Sequence, residues 1–589
     1  MAASICEDGQ PGQNHRSETD AKDSKGSRKP KFHEFYGVEG IEDPEDYREN
    51  GLHPVDILDI LDGRFEVVHK LGSGGIATVW LCYEEARSRW KAIKINAASH
   101  SSPDSAELKI SKIFEEQGVT HQQLEENHII TVEETFWIEG PNGKHLCSVL
   151  PVVGPSLQHW REMAIELDAA TINKVCHEIT EGLHFLHNHG ICHGDFRPQN
   201  ILMRLVDGGL DHLDPDDLFS RISLHDRHKV ETLSGEKCPN APRYVVEPLN
   251  WYELKDLLTD SVSIVDFGEA FEATSPPDFL GIPGTYASPE VAYGGEPFGK
   301  AVDIWSLAVT ILELRTGREL GNDSNSPLNR MEIFAGPMPH PYRTAAAEEI
   351  YQNQLYEYDR YGPDEMEKPQ PPSEDMLNGP LSLTELEWRA SGGEGESKVS
   401  FGGGIEELLR GECWEQVFIP EEEKVEGEEA TVKMVPCHIP EHEVVMLTGL
   451  LSGMMKYKPR ERPSTSDILS HPWFNIALRN ENPDTREPVE ALQGFTREGV
   501  SPRSEEVDTS KSKKNIHDDV TATTESHWSR RLSSSLQSQM FIRLSLLMPI
   551  VASLVLLWYI RLCSERVSIG KIEVFNVVVA PVPHSSGSN

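Results

Sequence analysis

Three side chains that suit phosphoryl transfer lie close together in the segment CHGDFRPQNIL. The carboxylate of Asp195 can orient a hydroxyl group and accept its proton, and the guanidinium of Arg197 can offset the charge of a phosphate. The amide of Asn200 supplies an oxygen for a metal ion. The segment therefore predicts three catalytic residues, and it predicts Asn200 as a metal ligand as well.

A second carboxylate follows a short apolar strand in the segment SIVDFGEA. A hard carboxylate oxygen at the end of a strand, followed by glycine, is suited to Mg²⁺. Asp266 is therefore predicted to bind the metal together with Asn200. Either motif alone can arise by chance in a surface turn, so the prediction depends on the whole series of motifs.

A glycine-rich segment, LGSGGIATV, lies between two predicted strands. Glycines at such a turn let backbone N–H groups approach phosphate oxygens without obstruction by side chains. Glycine-rich hairpins are also common as purely structural turns, so this signal is weak by itself. The residues predicted to bind a nucleotide here are Leu71, Gly72, Ser73, Gly74, Gly75 and Val79.

The next predicted strand, RWKAIKI, carries Ala92 and Lys94. Alternate residues of a strand share a face, so Ala92 would lie under an adenine while Lys94 reaches the phosphates. A lone lysine on a strand is usually a solvated edge charge, whereas a buried lysine needs a carboxylate partner. Glu107, in the predicted helix SAELKISKIF, is the expected partner. Lys94 and Glu107 are therefore predicted to take part in catalysis.

The elements that must position these residues change along the chain. Strand-like segments come first, in RFEVVHKL, TVWLCYEEA and RWKAIKI. The segment TINKVCHEITEGLHFLHN then repeats apolar residues at helical spacing and is followed by Gly190. DIWSLAVTILELRT is apolar on nearly all sides, which predicts a buried helix that Gly317 ends. A small strand-rich lobe followed by a helical lobe is the predicted α+β architecture.

The ordered series of motifs resembles the eukaryotic protein kinases over about residues 64–475. The resemblance implies a two-lobed kinase fold, ATP and Mg²⁺ as cofactors, and transfer of the γ-phosphate to serine or threonine of a protein. It also implies an adenine pocket with Leu150 at its back, Val152 at the hinge and Leu202 at its floor. Arg462 would pair with Glu290 to close the activation segment.

Within the kinases, the chain is similar to the SR-protein kinases, which phosphorylate serines in Arg-Ser repeats. The similar segments are EDPEDY, GRF and TVWL in and before the small lobe, GPNGKHLC and VVGPSL around the hinge, and a polar insert before Asp266. The resemblance implies basic protein substrates, with Arg-Ser repeat proteins among them. Four positions depart from the kinase pattern: Ala77 replaces the third glycine of the phosphate loop, Arg197 replaces a lysine, and Gly194 and Ala287 replace arginines. Ala287 stands where that family has arginine, and Gly194 replaces the arginine that would read a phosphate on the activation segment.

A membrane-tethered pseudokinase that acts as a binding scaffold is the alternative function. Gly194, Ala287 and a membrane helix predicted at 541–561 favour the scaffold. Intact Lys94, Asp195 and Asp266 favour a working enzyme.

Composition limits the partners of the chain. It has 55 basic and 96 acidic residues, a net charge of −41 over 589 residues. This charge argues against direct nucleic-acid binding and favours basic partners, although solvated surface explains much of it. Nine cysteines without a C-x-x-C pair predict buried thiols in a reducing compartment, and neither a zinc site nor a disulfide framework. We expect a monomer.

Polar stretches divide the chain into parts. The predicted parts are a disordered leader (1–31), an N-terminal extension (32–63), the small lobe (64–153), the large lobe (154–475) and a disordered linker (476–540). Two inserts are expected in the large lobe, at 207–260 and 326–440. The second is expected to be irregular, and its acidic stretches indicate solvated loops more strongly than a docking surface for a basic substrate.

A charge-free segment follows the linker. The seventeen residues LSLLMPIVASLVLLWYI lie between Arg543 and Arg561, which predicts a membrane helix over 541–561 and a tail over 562–589. A kinase needs cytosolic ATP, so a single-pass protein with its kinase domain in the cytosol is expected. A buried helix or a mispredicted terminal exon would also explain the segment. In that case the protein would lie in the cytoplasm or nucleus.

Overall fold

The computed structural model describes residues 31–477, apart from 34, 36–39, 163–167, 223–226, 319, 321–326, 363–366, 380, 385, 387–402, 412 and 419–431. The predicted membrane helix, the tail and nearly all of the leader and linker lie outside these residues. No helix in the described part of the chain is both long and apolar enough to cross a bilayer.

The small lobe contains a six-stranded antiparallel sheet in the order β1-β2-β3-β4-β6-β5. Its strands are β1 (Ile60–Leu61), β2 (Phe65–Gly74), β3 (Ala77–Glu84), β4 (Arg89–Asn96), β5 (Glu134–Gly140) and β6 (Gly143–Leu150). Two helices lie between β4 and β5 in the chain, α1 (Ala106–Glu116) and α2 (His121–Glu126). The strands predicted around the glycine-rich segment are thus present.

The large lobe is built around two long helices, as predicted. Its first elements are α3 (Leu157–Glu162), α4 (Ala169–Asn188) and the strands β7 (Ile191–Cys192) and β8 (Ile201–Leu205). The helix α5 (Pro215–Arg221) follows within the first insert. Asp168 caps α4 by accepting a hydrogen bond from the N–H of Thr171 at 2.7 Å. Gly190 follows α4 with a φ of 78°.

Further along the chain come the strands β9 (Arg227–Lys229), β10 (Tyr244–Val246), β11 (Leu258–Ile264) and β12 (Phe271–Glu272), then the helices α6 (Pro289–Tyr293) and α7 (Lys300–Thr316). Helix α7 is buried almost along its whole length and ends at Gly317, whose φ is 67°. Both features match the prediction from its apolar sequence.

The strands β8 and β11 bring the two predicted catalytic segments together. Ile201 pairs with Ile264, and Leu202 pairs with Ser263. The N–H of Val265 then donates to the carbonyl of Asn200 at 3.0 Å. The first insert, which joins β8 to β11, therefore begins and ends at neighbouring points of the structure. As a result, the segment of Asn200 lies beside that of Asp266.

The first insert does more than loop out, because it completes the core of the small lobe. Its buried apolar side chains pack with Val68, Leu81 and Trp90, and they are Leu210, Leu218, Ile222, Leu249, Trp251 and Leu254. The indole N–H of Trp90 also donates to the carbonyl of Leu213 at 2.8 Å. The insert is therefore part of the small lobe's structure.

The expectation that 326–440 is irregular is wrong for much of that range. It contains α8 (Pro327–Ala335), α9 (Tyr342–Tyr361), α10 (Glu374–Asn378), α11 (Gly404–Arg410), β13 (Cys413–Phe418) and β14 (Val432–Cys437). Helix α9 is rich in the helix-forming residues Ala, Glu and Gln. Its Arg343 donates to the carbonyls of Asp375 and Met376 at 3.0 and 2.7 Å, so tertiary contacts add to propensity.

The large lobe ends with α12 (Glu441–Met454), α13 (Thr465–Leu469) and α14 (Pro472–Ala477). Four cysteines of the described chain are free and buried, as the composition predicted: Cys82, Cys147, Cys176 and Cys192. A fifth, Cys238, is free but only partly buried, so the prediction of buried thiols does not hold for it.

Candidate active site

Lys94 lies between two carboxylates where the lobes meet. Its Nζ atom is 2.8 Å from Oδ1 of Asp266 and 3.5 Å from Oε2 of Glu107. Glu107 lies near the start of α1 and Lys94 on β4, so the predicted lysine–glutamate ion pair is present. Asp266 comes from the other lobe. The three residues therefore connect the small-lobe sheet, its helix and the end of β11.

The charges of this cluster follow from burial and proximity. Burial disfavours a charged lysine, but Glu107 and Asp266 outweigh it and raise the pKa of Lys94. Burial raises the pKa of Glu107, which Lys94 only partly offsets. Burial also acts against the charge of Asp266, yet Lys94 holds the pKa of that carboxyl below its usual range. The cluster therefore presents an ammonium group beside an ionised Asp266.

The carboxylate of Asp195 is held by its own loop. The Nε of Arg197 donates to both carboxylate oxygens, at 2.9 and 3.0 Å. The amide of Asn200 donates to the backbone carbonyl of Asp195 at 2.9 Å and to its Oδ2 at 2.8 Å. Burial raises the pKa of Asp195, and Arg197 lowers it less than burial raises it. The loop thus brings together the three residues predicted from the motif and holds the carboxylate of Asp195 in place.

A buried aspartate, Asp303, holds the backbone at the start of this loop. Asp303, at the start of α7, accepts hydrogen bonds from the N–H groups of His193 and Gly194, both at 2.9 Å. The Nε2 of His187 lies 2.9 Å from the same carboxylate. The sequence predicted Asp303 only as the start of a helix. Its role as an anchor connects residues about 110 positions apart and leaves no local signal.

Gly194 has a conformation that glycine alone adopts easily. Its φ is 77°, and a Cβ atom there would lie 2.3 Å from the backbone oxygen of Glu269. A larger side chain cannot enter without moving the segment that follows Asp266. The absence of the usual arginine therefore allows close contact between the catalytic loop and the activation segment.

Five of the predicted nucleotide residues, 71–75, form the glycine-rich turn after the first part of β2. An added Cβ at Gly72, Gly74 or Gly75 would meet nothing within 4 Å, so the glycine turn leaves room for phosphates. The hydroxyl of Ser73 donates to the carbonyl of Gly40 at 3.1 Å, which ties this turn to the N-terminal extension.

Most of the other predicted nucleotide residues lie on or next to paired strands. Val79 on β3 pairs with Lys94, and Ala92 on β4 pairs with Leu150 at the end of β6. Leu71 and Val152 are partly buried against one apolar cluster, and Leu202 bridges to Ser156 after the hinge. The roles of these residues toward adenine remain predictions.

The chemistry of Asn200 and Asp266 fits Mg²⁺. No group of three His, Cys, Asp or Glu in the described part of the chain could hold a metal ion. Mg²⁺ does not need such a cage, because it is usually bound by one or two protein oxygens together with phosphates and waters. Asp266 supplies an ionised carboxylate, 44% exposed, from a backbone with a φ of 61°. Asn200 and Asp266 would therefore hold the ion with the nucleotide's phosphates.

The activation segment is fastened at three places. The carboxylate of Glu269 accepts from the N–H of Gly281 at 2.7 Å, and the hydroxyl of Tyr286 donates to Glu313 at 2.7 Å. The guanidinium of Arg462 donates to both oxygens of Glu290 at 2.6 and 2.7 Å, which confirms the predicted ion pair.

Comparison with known proteins decides the family. The family model described as the protein kinase domain matches residues 65–212 and 254–474, more than half of the chain. This chain belongs to the protein kinase family. The unmatched residues between 212 and 254 lie within the first insert. The family model therefore matches the chain on both sides of that insert.

Several curated kinases are similar in sequence. SRSF protein kinase 3 of Homo sapiens is 35% identical over 164 residues, 27% of this chain and 29% of its own. Protein kinase dsk1 of Schizosaccharomyces pombe is 32% identical over 172 residues, 28% and 31% of the two chains. Serine/threonine-protein kinase SRPK of Physarum polycephalum is 28% identical over 292 residues, 46% and 64%. The chain matches less than two thirds of the length of these relatives.

The motifs that the sequence predicted around Lys94, Asp195 and Asp266 thus lie close together in the structure. Sequence reasoning missed Glu269, whose carboxylate fastens the activation segment, and Glu178, which accepts from the N–H of Val262 at 3.0 Å and so holds β11. Neither carries a local signal, because a glutamate on a helix or in a loop is usually solvated.

Proposed function

We propose that this chain is an active serine/threonine protein kinase that transfers the γ-phosphate of ATP to hydroxyl groups of proteins. The observation that carries the proposal is the contact of Lys94 with Asp266 at 2.8 Å and with Glu107 at 3.5 Å. This ion-paired arrangement joins the lobes as phosphoryl transfer requires. It counts against the pseudokinase alternative, because a scaffold has no need of it.

The residues divide the chemistry among them. Asp195 accepts a hydrogen bond from the substrate hydroxyl and takes its proton as the phosphoryl group is transferred. Arg197 holds Asp195 in place and offsets charge beside the transferred group, while Lys94 contacts the α- and β-phosphates. Asn200 and Asp266 would hold Mg²⁺, which would supply positive charge beside the phosphate oxygens.

Basic proteins are the proposed substrates, with Arg-Ser repeat proteins as one class. The net charge of −41 and the similarity to an SRSF protein kinase support this proposal. Ala287 stands where the SR-protein kinases have an arginine, and it is only 4% exposed. Specificity for Arg-Ser repeats would therefore have to come from other contacts.

The proposal includes a single-pass membrane anchor at 541–561, with the kinase domain in the cytosol. Its support is the charge-free run of the sequence between Arg543 and Arg561. A cytoplasmic or nuclear protein follows if this segment is not an anchor.

The direct test is a phosphotransfer assay on the full chain with labelled ATP. An Arg-Ser repeat peptide and a Ser-Pro peptide are offered side by side, and Asp195→Asn protein serves as the control. We expect label on the Arg-Ser peptide that depends on Asp195. Transfer to the Ser-Pro peptide alone would support the proposed kinase activity and contradict the proposed class of basic substrates. ATP binding without transfer to any protein would favour the scaffold.

A further inference from the structure

A cavity of about 690 Å³ opens behind the hinge of the kinase. Its walls come from α2, the hinge, the end of β8 and the start of the first insert. Of the residues predicted to bind the nucleotide, Val152 alone lines it. The cavity is therefore separate from the candidate active site, although the two share the hinge.

Part of the cavity's lining, beside the hinge, consists of apolar side chains. Ile130, Val152, Val153 and Leu205 are all partly exposed along it. Val206, at its edge, is 36% exposed. Partly exposed aliphatic side chains that line a concave surface offer area to an apolar group of a partner.

Carboxylates outnumber cations in the same lining. The cations, Lys91 and Arg204, are each paired, with Glu133 at 2.6 Å and with Glu125 at 2.8 Å. The remaining lining carboxylates are Asp207, Asp211 and Asp260.

Asp207 and Asp211 are exposed, and Asp207 has no ion-pair partner among the described residues. Asp260 pairs at 2.5 Å with Lys174, which does not line the cavity. The cavity thus combines a group of apolar side chains beside the hinge with an excess of negative charge at its insert side.

We propose that this cavity is a docking site for a basic segment of a partner protein. The segment would place one or two apolar side chains against Val153 and Leu205 and an arginine or lysine beside Asp207. Charge complementarity selects this occupant, because the lining has five carboxylates and two cations, both paired within it. The site does not depend on catalysis, so binding can be measured on an inactive kinase.

The first experiment measures binding of a fluorescein-labelled peptide that carries three arginines followed by two leucines. Full-length Asp195→Asn protein is titrated in detergent, with ATP present and absent. The Asp207→Lys change is added to this protein, and Glu236→Lys is its matched control. Glu236 is an exposed carboxylate of the same insert that does not line the cavity. The two variants change the net charge equally.

We expect Asp207→Lys to weaken binding at least fivefold and Glu236→Lys by less than twofold, with ATP having no effect. Equal weakening in both variants would mean diffuse attraction to an acidic protein only, and it would overturn the proposal. Displacement of the peptide by ATP would place the peptide in the active site and overturn it too.

The second experiment tests the cavity directly. Val206→Trp adds bulk at the exposed edge of the cavity, where a folded protein can carry it, and we expect it to weaken peptide binding at least fivefold. A photoreactive group on the peptide should cross-link to residues 121–133 or 204–211. Cross-links confined to other parts of the chain would overturn the proposal, even if binding itself is strong.

Discussion

At the scale of single residues, Asp195 is the proposed base of the candidate site, and the groups around its carboxylate shift its pKa in opposite directions. Burial makes its carboxylate harder to ionise, while Arg197 and Asn200 stabilise the ionised form. The balance leaves its pKa raised above the ordinary aspartate value. The surroundings of Asp195 therefore set its pKa as well as its position, which leads to two predictions.

Asp195→Asn should lower kcat by about two to four orders of magnitude, because the amide cannot accept the proton of the substrate hydroxyl. ATP affinity should stay within about twofold, since Asp195 is expected to contact the hydroxyl and not the nucleotide. Steady-state kinetics and a direct nucleotide-binding measurement check both halves. Asp104→Asn, at an exposed site, is the matched control and should change neither.

The pH dependence of kcat/KM should report the pKa of Asp195. A base must be ionised to work, so activity is lost as pH falls through its pKa, and a raised pKa places that loss at a higher pH than for an ordinary aspartate. Arg197→Ala removes the main group that lowers this pKa and should move the acid limb to still higher pH. Arg197→Lys should keep the limb near that of the wild type. An acid limb that does not move in Arg197→Ala would contradict this assignment.

At the scale of elements, the activation segment keeps its place through contacts that need no phosphate. Glu269, Tyr286 and Glu290 each fasten it, and Gly194 leaves no arginine to read a phosphate. Phosphatase treatment of the active enzyme should therefore change its activity by less than about twofold. Activity before and after treatment, with mass spectrometry of the segment, measures this. A large loss that returns on re-phosphorylation between Phe267 and Glu290 would argue against it.

The N-terminal extension joins the small lobe through a buried ion pair. Glu42 accepts hydrogen bonds from Lys70 on β2 and from the hydroxyl of Tyr47, and all three side chains are buried. Glu42→Ala leaves Lys70 buried without its anion. We expect it to destabilise the folded state by about 3–5 kcal/mol, which thermal and urea unfolding can measure.

The double variant Glu42→Ala, Lys70→Met should lose less stability than Glu42→Ala alone, because it leaves no unpaired buried charge. Glu66→Ala, at an exposed position of the same strand, is the control and should cost little. Equal losses in the single and double variants would show that the lost packing of Glu42, and not its charge, matters.

At the scale of the whole molecule, the proposed membrane helix at 541–561 would decide where the kinase works. Eight of the seventeen residues from Leu544 to Ile560 are Leu or Ile, and each favours insertion by about 0.5 kcal/mol. Full-length protein should stay in the membrane pellet after alkaline carbonate extraction. A chain ending at Gln539 should be soluble and equally active.

Leu554→Arg places a charge in the middle of the segment at a cost of about 3 kcal/mol, and it should shift protein toward the soluble fraction. Ser553→Ala is the matched control and should not. Full-length wild-type protein in the soluble fraction would mean that the segment is no anchor.

The sequence alone determined the features that neighbouring residues encode. Helical periodicity gave α4 and α7, and the glycines at 190 and 317 ended them, because spacing and backbone freedom are local properties. The motifs around Asp195 and Asp266 were equally local. The pairing of Glu290 with Arg462 came from family resemblance instead, since 172 residues separate the two.

Tertiary structure alone decided the contacts between distant segments. Asp303 anchors the loop at His193, the first insert fills the small lobe's core, and Glu42 neutralises Lys70. The second insert, which we expected to be irregular, contains helices such as α9, because its alanine, glutamate and glutamine residues favour helix and a few buried side chains hold it. Each of these features depends on where the chain folds back on itself. Residue type and spacing do not record that, because burial and pairing partners exist only once the lobes have packed.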